Sequence, residues 1–367
     1  MSNRHQKIPQ KYLDFQTLFP KTEVDKPLAD FSSIRIGGPA DLFYALKNLD
    51  ELPDLISQAN KLDIPYIIIG GGTNVVFHEN GFRGLIIRIQ ANKVAIENDL
   101  IIAEAGAALS NIVLLSLKHN LCGLQKLLGL PGTIGGAVRG NAGAHGIEIK
   151  DFFLKAEIYS PAVAAPAPAS TRRADTSIAA AHAKSPSHQG KIHTVGPDYF
   201  AFSYRHSTLK QNNDIILRIF LKLQSKDCSQ AMLEAQETLK SRLGKQPTGN
   251  TCGSFFKNPQ PPSPGAAPSP GSAQHRDQPV PGISPAPGSA LPNTAGALLD
   301  QCGCKGLQQG QVRVSNEHAN WIINLGGATQ TDLIALAHTM QNRVKERFNI
   351  NLVPEVQLIG KTGFIQL

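Results

Sequence analysis

The sequence predicts an α+β protein of two or three domains, and three observations predict it. With 367 residues and 41% hydrophobic content, the chain can build more than one core. Strand-like apolar runs and segments of helical periodicity are interspersed along it. Two glycine-rich stretches, GGGTN at 70–74 and GLQKLLGLPGTIGGAVRGNAGAHG at 123–146, leave little room for regular structure. Glycine lets backbone amides approach a ligand closely, so both suit a phosphate or cofactor. Each also fits a run of tight turns with no ligand.

Residues 1–22 are polar and are expected to be poorly tied down. A turn at Gly37, Gly38 and Pro39 separates apolar runs that read as short strands. Leu52, Leu55, Ile56, Ala59 and Leu62 fall at helical spacing, and a strand at 64–69 feeds the GGGTN loop. Strands at 86–89 and 101–105 and a helix at 109–118 lead into the second glycine stretch. Ile215, Leu217, Ile219, Leu221 and Leu223 alternate with polar residues, a strand with one buried face. Met232, Leu239 and Leu243 sit at helical spacings in a helix starting near Ser229. A last helix, 331–348, carries Leu333, Leu336, Met340, Val344 and Phe348 along one face. Between these lie two low-complexity insertions. Residues 161–190 are rich in Ala, Pro, Ser and His, and 259–290 hold ten prolines in 32 residues. Both read as disordered, because neither can bury enough apolar surface to offset ordering entropy.

Composition excludes several classes. No apolar stretch reaches a membrane span and the N-terminus lacks the apolar core of a signal peptide, so a cytoplasmic location is expected. The net charge of +8 is spread thinly, without the clustered stripe a nucleic-acid partner requires. Five irregularly spaced cysteines argue against a disulfide framework, and Cys302 with Cys304 lacks the second pair of a metal site. No GxGxxG fingerprint follows the first strand, so a dinucleotide would be bound by another fold.

Three polar stretches stand in apolar, turn-bounded surroundings: Tyr204-Arg205-His206-Ser207, Gly253-Ser254-Phe255-Phe256-Lys257-Asn258 and Pro354-Glu355-Val356. Singly, each has a plain structural reading as a surface charge or a turn. Taken in order with GGGTN, GLPGTIGGAVRGNAG and VSNEHANWIIN, they resemble the UDP-N-acetylenolpyruvoylglucosamine reductase family, also called UDP-N-acetylmuramate dehydrogenases. The resemblance runs from about Phe31 to Gly360 and skips only the two insertions. No substrate-clamping tyrosine loop is recognisable, which favours the shorter of the family's two types.

That resemblance implies an FAD-binding unit of two PCMH-type domains, at 23–95 and 96–240, followed by an α+β substrate-binding domain at 241–367. It implies a monomer in which NADPH reduces FAD, and the flavin passes hydride to an enolpyruvyl UDP-sugar in peptidoglycan precursor synthesis. Arg205, Ser254 and Glu355 match the catalytic positions: Arg205 for the carboxylate that gains charge, Ser254 as proton donor, Glu355 beside them. Gly70, Gly71, Gly72, Thr73 and Asn74 match the FAD diphosphate loop. Pro131, Gly132, Thr133, Gly135, Gly136, Asn141, Ala142 and Gly143 match the rest of the flavin nucleotide site. Tyr204, Lys257 and Asn258 match substrate contacts. No metal is implied. A flavin oxidase or dehydrogenase on the same scaffold acting on another small acid is the alternative, and a non-catalytic nucleotide-binding module a third. Departures from the family pattern are Gln125, Ala144, His145 and the two insertions, the second of which begins directly after Asn258.

Overall fold

In a computed structural model the chain is described over residues 9–161, 190–259 and 294–367. Its first part comprises α1 (Gln10–Leu18), β1 (Glu23–Pro27), β2 (Pro39–Leu46), α2 (Leu52–Lys61), β3 (Tyr66–Ile69), β4 (Val75–Phe77) and β5 (Phe82–Ile89). Four of these strands form a sheet in the order β1-β2-β5-β3, with β5 parallel to both of its neighbours. As its spacing predicts, α2 buries Leu52, Leu55, Ile56 and Ala59. Two expectations are corrected here. The N-terminal segment is helical from Gln10, because Phe15 is wholly buried and the Tyr12 hydroxyl donates to Asp41 at 2.9 Å. These two aromatics, one helical turn apart, anchor an otherwise polar stretch. The run 31–36 is not a strand. Its polar groups bond instead to the glycine loop region, the Ser33 amide to the Gly72 carbonyl at 3.0 Å and the Ser32 hydroxyl to the Val75 carbonyl at 2.7 Å.

The second part holds β6 (Val94–Glu97), β7 (Leu100–Glu104), α3 (Leu109–Lys118), β8 (Leu121–Cys122), α4 (Ile134–Arg139), β9 (Gly143–Ala144), β10 (Ile147–Glu148), β11 (Phe153–Ser160), β12 (Lys191–Val195), α5 (Pro197–Phe200), β13 (Ile215–Lys222), β14 (Gln224–Ser225) and α6 (Ser229–Lys245). Five strands make an antiparallel sheet, β12-β11-β13-β7-β6. In β13 the alternating positions Ile215, Leu217, Ile219 and Leu221 are buried as predicted. Ser160 and Lys191 are cross-strand partners. The expected insertion between them lies outside the described residues apart from Pro161 and Gly190, and that at 259–290 apart from Pro259.

In α6 the helical period is right, but the buried stripe is Ala231 and Ala235. Met232, Leu239 and Leu243 are exposed. The cysteine expectation also needs correction. β14 pairs with β8, which brings Cys122 and Cys228 to a Cα separation of 5.8 Å, and they form a disulfide. At a sequence separation of 106, spacing could not reveal the pair.

The third part contains α7 (Ala295–Gln301), β15 (Gln308–Gln309), β16 (Val312–Val314), β17 (Ile322–Asn324), α8 (Gln330–Phe348), β18 (Gln357–Ile359) and β19 (Phe364–Ile365). Thr329 caps α8 by accepting from the Asp332 amide, and the helix buries Leu333, Leu336, Met340 and Val344 against a core shared with Ile34, Ile36 and Val76. β18 does not join β16 and β17. It runs parallel to β4, with Gln357 opposite Val75 and Leu358 opposite Val76. The buried Gln330 amide spans this junction, donating to the carbonyls of Val76 and Ile359 at 2.9 and 3.0 Å. The end of the chain is thereby stitched to the strand that follows GGGTN.

Candidate active site

The two glycine-rich loops face each other across van der Waals contact. A Cβ on Gly70 would stand 2.4 Å from Thr133 Oγ1, and one on Gly71 would stand 3.1 Å from Gly132 Cα. Side chains at these positions would push the loops apart. The Thr73 hydroxyl donates to the Pro131 carbonyl at 3.4 Å, and Thr133 caps α4 by accepting from the Gly136 amide. The loops form one wall of a cavity of about 930 Å³. That is at the upper end of the range for small-molecule sites.

A second, polar stretch of the lining is assembled by strand-like pairing in the third part. The segment Ser254–Lys257 is held on both sides. Ser254 bridges Trp321, and the Phe255 amide donates to the Asn320 carbonyl at 2.8 Å. On the other side the Glu355 amide donates to the Phe255 carbonyl at 2.8 Å, and the Lys257 amide donates to the Val353 carbonyl at 2.9 Å. The Asn320 side chain binds both the Phe256 amide and the Phe256 carbonyl, which locks the register. Consequently Ser254 and Glu355 share a wall, and among the described residues nothing bonds the Ser254 hydroxyl.

Arg205 reaches this wall from the second part. Its Nε lies 2.9 Å from Glu355 Oε1, and Nη2 donates to the Gly143 carbonyl at 2.9 Å. The guanidinium also stands 5.2 Å from the Tyr204 ring centre. Arg205 has φ 53°, in the left-handed region. The turn is closed by reciprocal backbone bonds between Ser203 and His206, and by the Ser207 hydroxyl donating to the Arg139 carbonyl at 2.7 Å. Burial, followed by the charges of Lys210 and Lys257, holds the His206 imidazole below its usual range.

Most of the expected site residues line this one cavity: Gly70 to Asn74, Pro131, Gly132, Thr133, Gly135, Gly136, Ala142, Gly143, Tyr204, Arg205, Ser254, Asn258 and Glu355. Three have different partners from those expected. Asn141 is fully buried off the cavity, its amide donating to Glu148 and to the Ser203 carbonyl at 2.9 Å each, so it supports the Arg205 turn. Asn74 lines the cavity, yet its side chain donates to the Glu355 carbonyl at 3.1 Å. The Asn258 side chain accepts from the Ala295 amide at 3.0 Å, joining the described segments on either side of the second insertion. Lys257 is not on the wall, although its charge acts on His206 and Lys210.

Three cations without any local sequence signal also line the cavity, Arg139, Lys210 and Arg242. Arg139, at the end of α4, donates to the Gln357 side-chain oxygen at 2.9 Å and has no carboxylate in contact among the described residues. Burial pulls its pKa down to about 10. Lys210 donates to the Arg205 carbonyl at 2.7 Å. Among the described residues, Glu355 is the carboxylate whose charge acts on Lys210, against those of Arg139, Arg205 and Lys257. A cavity this rich in cations, walled by glycine loops that a Cβ would obstruct, fits a ligand carrying a diphosphate, as FAD does.

The comparisons agree with the geometry. A family model described as the FAD binding domain matches residues 40–162. A model described as the C-terminal domain of UDP-N-acetylenolpyruvoylglucosamine reductase matches 245–359. The UDP-N-acetylenolpyruvoylglucosamine reductase of Rubrobacter xylanophilus is 31% identical over 349 residues, 94% of this chain and 98% of that protein. The protein of the same name from Caldanaerobacter subterraneus is 32% identical over 343 residues, 93% of this chain and 94% of that one. The crystal structure of the Thermus caldophilus enzyme superposes with a TM-score of 0.62 at 25% identity, covering 92% of this chain and 97% of that one. With the flavin-binding match in its N-terminal half and relatives aligned over nearly its whole length, this chain belongs to the UDP-N-acetylenolpyruvoylglucosamine reductase family.

Proposed function

We propose that the protein reduces the enolpyruvyl ether of UDP-N-acetylglucosamine to UDP-N-acetylmuramate in peptidoglycan precursor synthesis, with FAD resident and NADPH as reductant. The observation that carries this reading is the Arg205–Glu355 pair, 2.9 Å apart, lining one cavity together with the double glycine loop. Bound FAD, once reduced, supplies the hydride that reaches C3 of the enol ether. The chain's own residues handle the charge and the proton. Hydride addition puts negative charge on C2 beside the substrate carboxylate. Arg205, oriented by Glu355 and the Gly143 carbonyl, has guanidinium protons left to bind that carboxylate as it gains electron density. Ser254, on the same wall, delivers the proton to C2. A serine hydroxyl is a poor acid, so positioning and a proton relay supply a factor of about 10² to 10⁴. Glu355, fixed by Arg205 and by backbone bonds, is the carboxyl group placed to share that proton.

The two parts up to residue 240 form the cofactor unit, and 241–367 carries the substrate over it. We assign the enzyme to the cytoplasm as a monomer. No described helix is long and apolar enough to cross a membrane.

Purified protein tests the reading directly. It should show a flavin absorption spectrum, bleach with NADPH under anaerobic conditions, and recover its colour on addition of the enolpyruvyl sugar nucleotide. Colourless protein would remove the flavin. A bleached flavin reoxidised only by some other acid would favour a different oxidoreductase on the same scaffold.

A further inference from the structure

We propose that Lys210 is the positioning residue of Arg205, clamping its backbone carbonyl and adding a second positive charge to the subsite that receives the substrate carboxylate. The inference rests on the reading of the site as an enolpyruvyl reductase. Arg205 is held at φ 53°, a conformation that costs energy for any residue with a side chain. Reciprocal bonds between Ser203 and His206 close the turn on one side of it. On the other side the chain makes a 3₁₀ turn at Thr208–Lys210 and sends the Lys210 ammonium back to the Arg205 carbonyl at 2.7 Å. A charge-assisted bond of that length fixes the peptide from which the guanidinium projects.

The surroundings of Lys210 give its charge a second role. It lines the cavity, and no carboxylate is in contact with it among the described residues. Arg205, Arg139, Lys257 and His206 face it, and Glu355, the carboxylate acting on it among the described residues, is already bonded to Arg205. Burial first, then the charges of Lys257, Arg139 and Arg205, bring its pKa down to about 8. A cation kept in such a place is favourable only when an anion arrives, and the enolpyruvyl carboxylate is the anion that Arg205 draws there. Substrate binding therefore raises the affinity of Lys210 for its proton, and by linkage protonated Lys210 raises the affinity for substrate.

The test uses holoenzyme whose flavin has been reduced anaerobically with stoichiometric dithionite, which leaves NADPH out of the measurement. Reoxidation by the enolpyruvyl sugar nucleotide is followed against substrate concentration on both sides of pH 8. Wild type should lose substrate affinity as pH rises through 8, where Lys210 gives up its proton. Lys210→Met should bind about 10- to 100-fold more weakly below that pH and show no such limb. Lys210→Arg should restore affinity and carry the limb out of range, because a guanidinium keeps its proton. Combined with Arg205→Lys, Lys210→Met should lose less than the product of the single losses, since the lysine works through Arg205. A Lys210→Met enzyme with wild-type affinity and an unchanged limb, or with losses that simply multiply, overturns the proposal alone. A wild-type holoenzyme that the substrate fails to reoxidise overturns the reading of the site, and this inference with it.

Discussion

Asn74 donates its side-chain amide to the carbonyl of Glu355 at 3.1 Å, and its own carbonyl receives the Gln357 amide at 3.0 Å. The last residue of the first glycine loop thus grips the Glu355 segment on both sides, across 281 positions of sequence. Cofactor loop and substrate wall are one hydrogen-bonded unit, continued by the parallel pairing of β4 with β18. Asn74→Leu should therefore do more than disturb flavin affinity. It should cost about 1–2 kcal/mol in thermal or denaturant unfolding and slow substrate-driven reoxidation. Reoxidation at the wild-type rate would mean Glu355 is held well enough by Phe255 and Arg205 alone.

Ser254→Ala separates the two half-reactions. The side chain removed has no bond to another described residue, so packing and flavin binding should be nearly unchanged and NADPH should still bleach the flavin. Reoxidation by the enolpyruvyl substrate should fall by a factor of about 10² to 10⁴, the range expected for loss of a positioned proton donor. Stopped-flow absorbance at the flavin band measures each step separately. Turnover at the wild-type rate would sink the assignment of Ser254.

The order of the six motifs, glycine loops included, makes the family and the cofactor legible in the sequence. It also singles out Arg205, Ser254 and Glu355, which the fold brings to one cavity. What stays hidden shares a physical cause. Asn141 reads as a cofactor contact because it sits among glycines, but a buried amide with three protein bonds is a scaffold element, and only its surroundings reveal that. Arg139 and Lys210 carry no local signal of function; their meaning comes from having no carboxylate in contact among the described residues. The β4–β18 pairing and the Cys122–Cys228 bond join segments too distant in sequence for periodicity to relate. The helix at 10–18 escapes a composition-based reading because two buried aromatics outweigh its polar residues. Glycine's role is also only half visible: much of the need for it is the approach of one loop to the other.

Lys210 also predicts a pH dependence of folding in the ligand-free protein. Its pKa lies near 8 in the folded chain, below the ordinary lysine value of 10.5 that holds in the unfolded one. Between those values the unfolded chain holds a proton that the folded chain has released. The penalty from this group is thus full below pH 8 and fades as pH rises toward 10.5. Denaturant unfolding of apoprotein across that window should show wild-type stability gaining relative to Lys210→Met as pH increases. A constant difference between the two would place the Lys210 pKa near its ordinary value.

Gly70 and Gly146 are predicted to respond differently to alanine. At Gly70 the new methyl would stand 2.4 Å from Thr133 Oγ1, forcing the threonine off the cap of α4 and the loops apart. The expected result is protein purified with substoichiometric FAD, measured as the flavin to protein absorbance ratio. At Gly146 nothing lies within 4 Å, so only the φ of +84° opposes the substitution. Gly146→Ala should lose about 1 kcal/mol of stability and keep its flavin. Equal flavin loss in both variants would mean that the contact between the loops is not what limits the cradle.

Removing residues 161–190 tests whether that insertion contributes to the fold that holds the site. Ser160 and Lys191 face each other at the end of the β11–β12 ladder, so a two-residue Asn-Gly turn in place of the excised segment can close the hairpin without moving either strand. β12 is the edge strand of the sheet, and the cavity is lined from elsewhere, by β13 and the glycine loops. The shortened protein should unfold within about 1 kcal/mol of the full chain and keep its flavin and its rate of substrate-driven reoxidation. A large drop in melting temperature would assign the segment a packed role. Unchanged stability with a changed reoxidation rate would instead place it in the path of the substrate.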